Sequence, residues 1–425
     1  MTERLLQFIW QFQYFNHNDL RTTNNELLQV LHPGQLNHNQ GPDFLEAKIK
    51  IENTILAGSI ELHLAASHWF VHAHDTDANY NNVILHVVWQ HDKDVTIASG
   101  SVIPALELQP LVSVLMLKQY EALIHSKSFC ACESQLPVLS EIGWMSWKER
   151  LAIERLSAKS ATVLVFFEES GHHWEEAFWW MLARNFGVKV NMDSFESVAK
   201  SIPINILAKH KSQLNQLEAL LLGQAGLLND EFEEAYPQML QREYRFLKKK
   251  HGLEPALIQP VFLRMRPANF PGLRLAQLAA LIYSACHLFS KIKTASTISE
   301  LRELLNVTAN DYWHYHYRFD EETACMPKHL GEQMIENIII NTIVPVIFSY
   351  GSYLNEQRWK DKAVEWLSQL KAEDNSITKQ WKQKGVSCTT GLDSQALLEL
   401  HKNYCDKKEC LKCAVGNKML KMYDV

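Results

Sequence analysis

Asp43, Glu61 and His63 are the residues of this sequence whose types and spacing could most directly do chemistry. In "GPDFLEAKIKIENTILAGSIELHL", residues 41–64, Asp43 follows a Gly-Pro turn at the head of one apolar run, and Glu61 and His63 lie two apart inside the next. Residues i and i+2 of a strand share a face, so Glu61 and His63 project together while Leu62 and Leu64 face away. If the two runs pair as a hairpin, Asp43 reaches the same face. Two carboxylates beside a nitrogen donor suit a hard divalent cation, Mg²⁺ or Mn²⁺, which would activate a water and neutralise charge on a phosphoryl oxygen. The plainer alternative is that Asp43 caps a turn and Glu61 and His63 form a buried hydrogen-bonded pair.

More imidazoles follow. "SHWFVHAHD" carries His68, His72, His74 and Asp75, and "VILHVV" places His86 in the next apolar run. His74 and His86 are the first candidates to join Asp43 and Glu61 as metal ligands. A rival site built on His72, His74 and His86 would make a Zn²⁺-dependent hydrolase, although no HExxH spacing is present. His86, between Leu85 and Val87, also reads as a half-buried core histidine.

Two further groups bear on cofactors and partners. "FLRMRPANFPGLRL" sets Arg264, Arg266 and Arg274 around two prolines, where guanidinium groups could clamp the phosphates of DNA or RNA or, equally, bind helix ends and carboxylates. Near the C-terminus Cys405-x4-Cys410-x2-Cys413 supplies three thiols, with Cys388 a fourth; such a set holds Zn²⁺ or a [4Fe-4S] cluster. Lys407, Lys408 and Lys412 should lower the thiol pKa values. Cys130 and Cys132 form a CxC that could take the place of Cys388.

The elements that must position these groups can be read from periodicity. After one amphipathic opening helix, short Ile-, Val- and Leu-rich runs separated by Pro, Gly, Asn and Asp predict strands up to about residue 112, broken between the third and fourth by a crossover holding the histidines. From "GWMSWKERLAIERL" onward the period becomes helical. The expectation is an α+β chain: an N-terminal mixed α/β sheet domain over 1–115, a largely helical region over 140–385, and a C-terminal helix with the cysteine cluster over 386–425. At 425 residues and 47% hydrophobic, the chain can bury a sizeable core, and a net charge of −6 argues against a general nucleic-acid coat. Gln7, Gln11 and Gln13 interrupt the opening apolar stretch, and "MIENIIINTIVPVIF" is shorter than the roughly 20 apolar residues of a membrane span, so no membrane is expected. Eight cysteines without a signal peptide point to reduced thiols in the cytoplasm.

The order helix, three strands, crossover, strand, with Pro42-Asp43 at the second strand and Glu61-Leu62-His63 in the third, resembles the PD-(D/E)XK nuclease superfamily. That resemblance implies a restriction-endonuclease-like sheet, catalytic roles for Asp43, Glu61 and His63 with Mg²⁺ or Mn²⁺, and hydrolysis of nucleic acid. It departs at His63, which stands where the superfamily has Lys and lacks its permanent charge. Taken whole, the chain is similar to a bacterial family catalogued as domain-of-unknown-function family 2851, through "GQLNHNQGPDF", "GSIELH", "SHWFVHAHDTDANYNNVILHVVW", "EALLLGQAGLL", "RMRPANFP", "INTIVPVIFSYG" and "YCDKKECLKCAVGN". That second resemblance implies no activity. The expected function is therefore a divalent-metal-dependent nuclease, with a Zn²⁺-dependent hydrolase and a noncatalytic partner-binding scaffold as the alternatives.

Overall fold

Alternation of apolar and polar residues builds the first part of the chain. The computed structural model describes all residues except 38, 263–265, 286 and 423–425. It divides into two units, residues 1–147 with 400–425, and residues 148–399.

In the first unit, helix α1 (Glu3–Phe12) starts at Thr2, whose hydroxyl accepts the Leu5 N–H at 3.2 Å. One side of α1 buries Leu5, Leu6, Phe8, Ile9 and Trp10. Strands β1 (Leu28–His32), β2 (Gln35–Leu36), β3 (Phe44–Ile51), β4 (Thr54–Ala65), β5 (Val83–Gln90) and β6 (Ala105–Glu107) form one mixed sheet. Its path is β1-β3-β4-β5-β6, with β2 paired to β3 beside β1. The β1–β3 and β3–β4 pairs are antiparallel, whereas β4–β5 and β5–β6 are parallel. A tight turn joins β3 to β4, with Glu52 at φ 49° and Ile51 facing Thr54.

A parallel pair cannot be closed by a hairpin, so the chain must cross the sheet between β4 and β5. It does so through a four-residue helix, α2 (His68–Val71), and a 3₁₀ turn at Ala78–Tyr80. Beneath the crossover, Trp69, Tyr80, Val83, Val95 and Ile103 form a small core. The Trp69 indole donates to the Thr96 carbonyl at 3.1 Å, and α1 packs against β4. Helix α3 (Val114–His125) follows the sheet. The tail rejoins this unit: the Tyr14 hydroxyl donates to Asn417 Oδ1 at 2.9 Å, and the Lys408 ammonium donates to the Ser126 carbonyl at 2.6 Å.

The second unit is almost wholly helical, and the chain as a whole is α+β, as its two periodicities predict. Helix Pro271–Ser284 is buried on all sides, from Pro271 to Leu281, with Arg274 and Gln277 its buried polar residues. Among the described residues, one continuous helical stretch, Glu332–Leu354, is long and apolar enough to cross a membrane; 78% of its most apolar window is buried inside the protein.

Candidate metal centre

The site begins at the Gly41-Pro42 turn. Gly41 has φ +106°, a backbone conformation that side-chain-bearing residues rarely adopt. Asn37 holds the turn, its side-chain amide donating to the Pro42 carbonyl at 3.0 Å and its backbone N–H to the Asp43 carbonyl at 2.7 Å. The β3–β4 ladder ends at the Phe44–Ile60 pair. Beyond it, side chains replace backbone partners: the Leu62 N–H donates to Asp43 Oδ2 at 3.1 Å, and the Asp43 N–H donates to Glu61 Oε2 at 3.0 Å. Gln7 of α1 donates to Asp43 Oδ1 at 2.8 Å. Burial, followed by the neighbouring Glu61 carboxylate, raises the Asp43 pKa from 3.8 to about 7.

Glu61 turns its other oxygen the opposite way. Oε1 lies 3.4 Å from His74 Nε2 and 3.7 Å from His63 Nε2. His63 is fully buried, with Nε2 3.1 Å from His72 Nδ1 and Nδ1 2.9 Å from His86 Nε2. His72 caps the C-terminal end of α2, and a left-handed residue, Ala73 (φ 57°), turns the chain to bring in His74. The His74 ring stacks on Tyr80 with centroids 3.7 Å apart. Ligand atoms of His63, His72 and His74 all lie within 4.8 Å of one another, His63 and His74 buried and His72 exposed.

This donor set fits a transition-metal ion. Tetrahedral bonds of about 2.0–2.1 Å to nitrogen or oxygen require donors about 3.3 Å apart, and the His63–His72, Glu61–His74 and Glu61–His63 separations, 3.1, 3.4 and 3.7 Å, bracket that value. The imidazoles are also prepared for lone-pair donation. Burial, reinforced by the surrounding histidines, pushes the pKa of His63 down to about 2; burial likewise takes His86 to about 3. With His63 Nδ1–H donating to His86 Nε2, the Nε2 lone pair faces His72, His74 and Glu61.

The residues singled out in the sequence thus occupy distinct places. Asp43, Glu61 and His63 do converge, but both Asp43 oxygens are engaged by Leu62 and Gln7, so Asp43 stands one step outside the cluster. His86 stands behind His63, and His72 and His74 complete the cluster from the crossover. Gln7 and Tyr80 join the site without a motif to mark them, Gln7 being signalled only as a polar side chain within the opening apolar stretch. In the second unit Arg266 is exposed, and Arg264 lies outside the described residues. Arg274 is buried rather than presented to a phosphate: it donates to Asn269 Oδ1 at 2.6 Å and Gln277 Oε1 at 2.9 Å, and burial lowers its pKa to about 10. It ties down the turn before its own helix. Cys388 also lies in the second unit, where its charged neighbours are Lys382, Asp393, Lys148 and Glu373.

The model of the family described as "Protein of unknown function (DUF2851)" matches residues 3–376. The chain belongs to this family. Neither a curated protein nor a solved structure matches it. The family match spans the whole sheet and every residue of the histidine cluster, and it ends before Cys388 and the three C-terminal cysteines.

Proposed function

We propose that the protein is a divalent-metal-dependent hydrolase that cleaves phosphodiester bonds in nucleic acid, its metal held by Glu61, His63, His72 and His74. The observation that carries the reading is the convergence of three imidazole nitrogens and one carboxylate oxygen at metal-ligand spacing. Three nitrogens and one oxygen suit Zn²⁺ or Mn²⁺ better than Mg²⁺, which prefers oxygen. Held by these four donors, such an ion would need a fifth position, open on the His72 side, for a water whose pKa it would lower while polarising a phosphoryl oxygen.

The chain's own residues set up the rest. Glu61 joins the two halves of the site, accepting the Asp43 N–H with Oε2 and offering Oε1 to the imidazoles. Asp43, with its pKa near neutrality, can hold or release a proton at the margin of the cluster. His86 fixes the orientation of His63. His72, being exposed, leaves the cluster open to a substrate from its own side.

The nucleic-acid half of the reading is supported by the strand plan. Leaving aside the two-residue β2, a helix, the antiparallel strands β1, β3 and β4, a crossover, and β5 parallel to β4, with Asp43 just before β3 and Glu61-x-His63 in β4, is the order that carries the PD-(D/E)XK resemblance. His63, neutral and buried, serves there as a ligand and not as a cation.

The test is cleavage of labelled single- and double-stranded DNA and RNA by protein loaded with Zn²⁺, Mn²⁺ or Mg²⁺, alongside Glu61→Gln and His74→Ala. Metal-dependent cleavage that disappears in both folded variants is the expected result. Equal cleavage by all three proteins, or none by metal-loaded wild type, would refute the assignment.

A further inference from the structure

The first unit is discontinuous in sequence: residues 1–147 need residues 400–425 to complete it. The return segment carries three cysteines in a short compass. Cys405 ends a π-helical turn (Leu400–Cys405), Cys410 begins a 3₁₀ turn (Cys410–Lys412), and Cys413 precedes the helix Ala414–Lys421. That last helix packs on the 3₁₀ turn Glu133–Val138, which follows Cys132 directly. The two segments are pinned side by side. Phe129 stacks on His401 with centroids 4.4 Å apart, Trp147 meets Tyr404 edge-on at 5.4 Å, and Lys408 donates to the Ser126 carbonyl.

This packing gathers thiols from both segments. Cys405 feels the charges of Cys413, Cys132 and Cys410, and Cys413 those of Cys132 and Cys410. Cys132 and Cys413 are 9% and 7% exposed, and all four are free thiols. Burial, not the adjacent lysines, dominates at Cys405, Cys410 and Cys413, and their thiol pKa values rise, although Lys408 pulls that of Cys410 the other way. At Cys132 the leading cause of the rise is a hydrogen bond with Cys130. Four thiols at one junction, Cys132 and Cys413 buried and Cys405 and Cys410 half-buried, are weak hydrogen-bond donors with little to gain from one another, whereas four thiolates around a metal are strong ligands.

We infer that Cys132, Cys405, Cys410 and Cys413 form a four-thiolate metal centre that fastens the C-terminal segment to the first unit. Cys132 thus takes the place given to Cys388 from the sequence, and Cys130 supports it through the thiol–thiol hydrogen bond. Four thiolates hold either one Zn²⁺ or an iron–sulfur cluster. A single Zn²⁺ with bonds of about 2.3 Å needs its sulfurs about 3.8 Å apart. Among the described residues the imidazole cluster is the one trio of donors within 4.8 Å of one another. No three of these four sulfurs meet that limit, a closeness that a single Zn²⁺ needs and that a cluster, whose cysteines bind different iron atoms, does not.

The full-length protein, purified without oxygen and reconstituted in turn with iron plus sulfide and with Co²⁺ as a zinc stand-in, tests the inference. Sulfur-to-metal charge-transfer absorption is the readout, because the imidazole site cannot produce it. We expect such absorption in wild type and in Cys388→Ser, at least a tenfold loss in Cys132→Ser, and release of the tail by limited proteolysis in that variant. Iron with acid-labile sulfide identifies a cluster, and a stoichiometric single ion without sulfide identifies a zinc-type centre; both support the ligand set. No charge-transfer absorption in reconstituted wild type would overturn it whatever the variants do, as would undiminished absorption in Cys132→Ser or its loss in Cys388→Ser.

Discussion

Replacing His72 with alanine should separate metal binding from folding, because this imidazole alone of the trio is exposed. Its removal leaves His63 Nε2 facing a gap that water can fill, so the unliganded protein should lose no more than about 1 kcal/mol. Fully buried His63 would cost several times that. The effect on metal should be far larger. Removing an outer-shell partner of a ligand typically costs 10–100-fold in affinity, so loss of a direct ligand should cost at least about 100-fold, or about 2.8 kcal/mol. Most of that difference appears in melting. Metal at 100 times the wild-type Kd stabilises wild type by about 2.7 kcal/mol but a variant bound 100-fold more weakly by only about 0.4 kcal/mol. The assay is a Mn²⁺ titration followed by paramagnetic resonance, since Mn²⁺ is poorly held by thiolates, together with thermal melts with and without the ion. An affinity within threefold of wild type, or a metal-free variant as destabilised as His63→Ala, would refute the ligand assignment.

Three other outcomes follow from the geometry. His86→Leu should keep the site filled but free the His63 ring, lowering Mn²⁺ affinity by about 10–100-fold; unchanged affinity would deny His86 its orienting role. Gly58→Ala should lower the melting temperature by an overpacking cost of about 1–3 kcal/mol, because a Cβ there would lie 2.5 Å from the Asn82 carbonyl oxygen; an unchanged melt would contradict the close approach. Glu218 gives a pH dependence in the second unit. It is fully buried, with Tyr236 and Trp313 both donating to Oε2, and burial raises its pKa from 4.5 to about 7. The unfolded chain releases this proton first as pH rises, so stability present below pH 4.5 should fall by about 3 kcal/mol on going to pH 7 and then level off. Denaturant titrations should show that fall in wild type and its absence in Glu218→Gln; identical pH profiles would sink the argument.

Much of the sheet and part of the site were legible because both rest on a two-residue period. The Gly41-Pro42 turn and the Glu61-x-His63 spacing were enough to bring Asp43, Glu61 and His63 to one place. The crossover was less readable, since a four-residue helix closed by a left-handed alanine leaves no periodic trace, and its turn decides that His72 and His74 meet His63. Arg274 misled because a Pro-flanked arginine looks like a surface clamp, whereas its helix is buried on every side and carries the arginine inward with it. Cys132 could be offered from the sequence only as a substitute, because its nearness to Cys405, Cys410 and Cys413 depends on the chain returning to its first unit after residue 399.

The place of the histidine cluster follows from where the sheet changes direction. β4 is the strand that pairs antiparallel with β3 and parallel with β5. Its antiparallel neighbour brings Asp43 by a short hairpin, and its parallel neighbour forces a crossover over the face that carries Glu61 and His63. The donors therefore come in two kinds. Glu61 and His63 are fixed by the ladder, while His72 and His74 follow a helix too short to be stable alone, anchored by Trp69 within it and by Tyr80. A metal bound by all four would tie the less stable half to the rigid one, so binding should order the crossover, and amide exchange from residues 68–80 should slow when the ion is added and remain fast in His72→Ala.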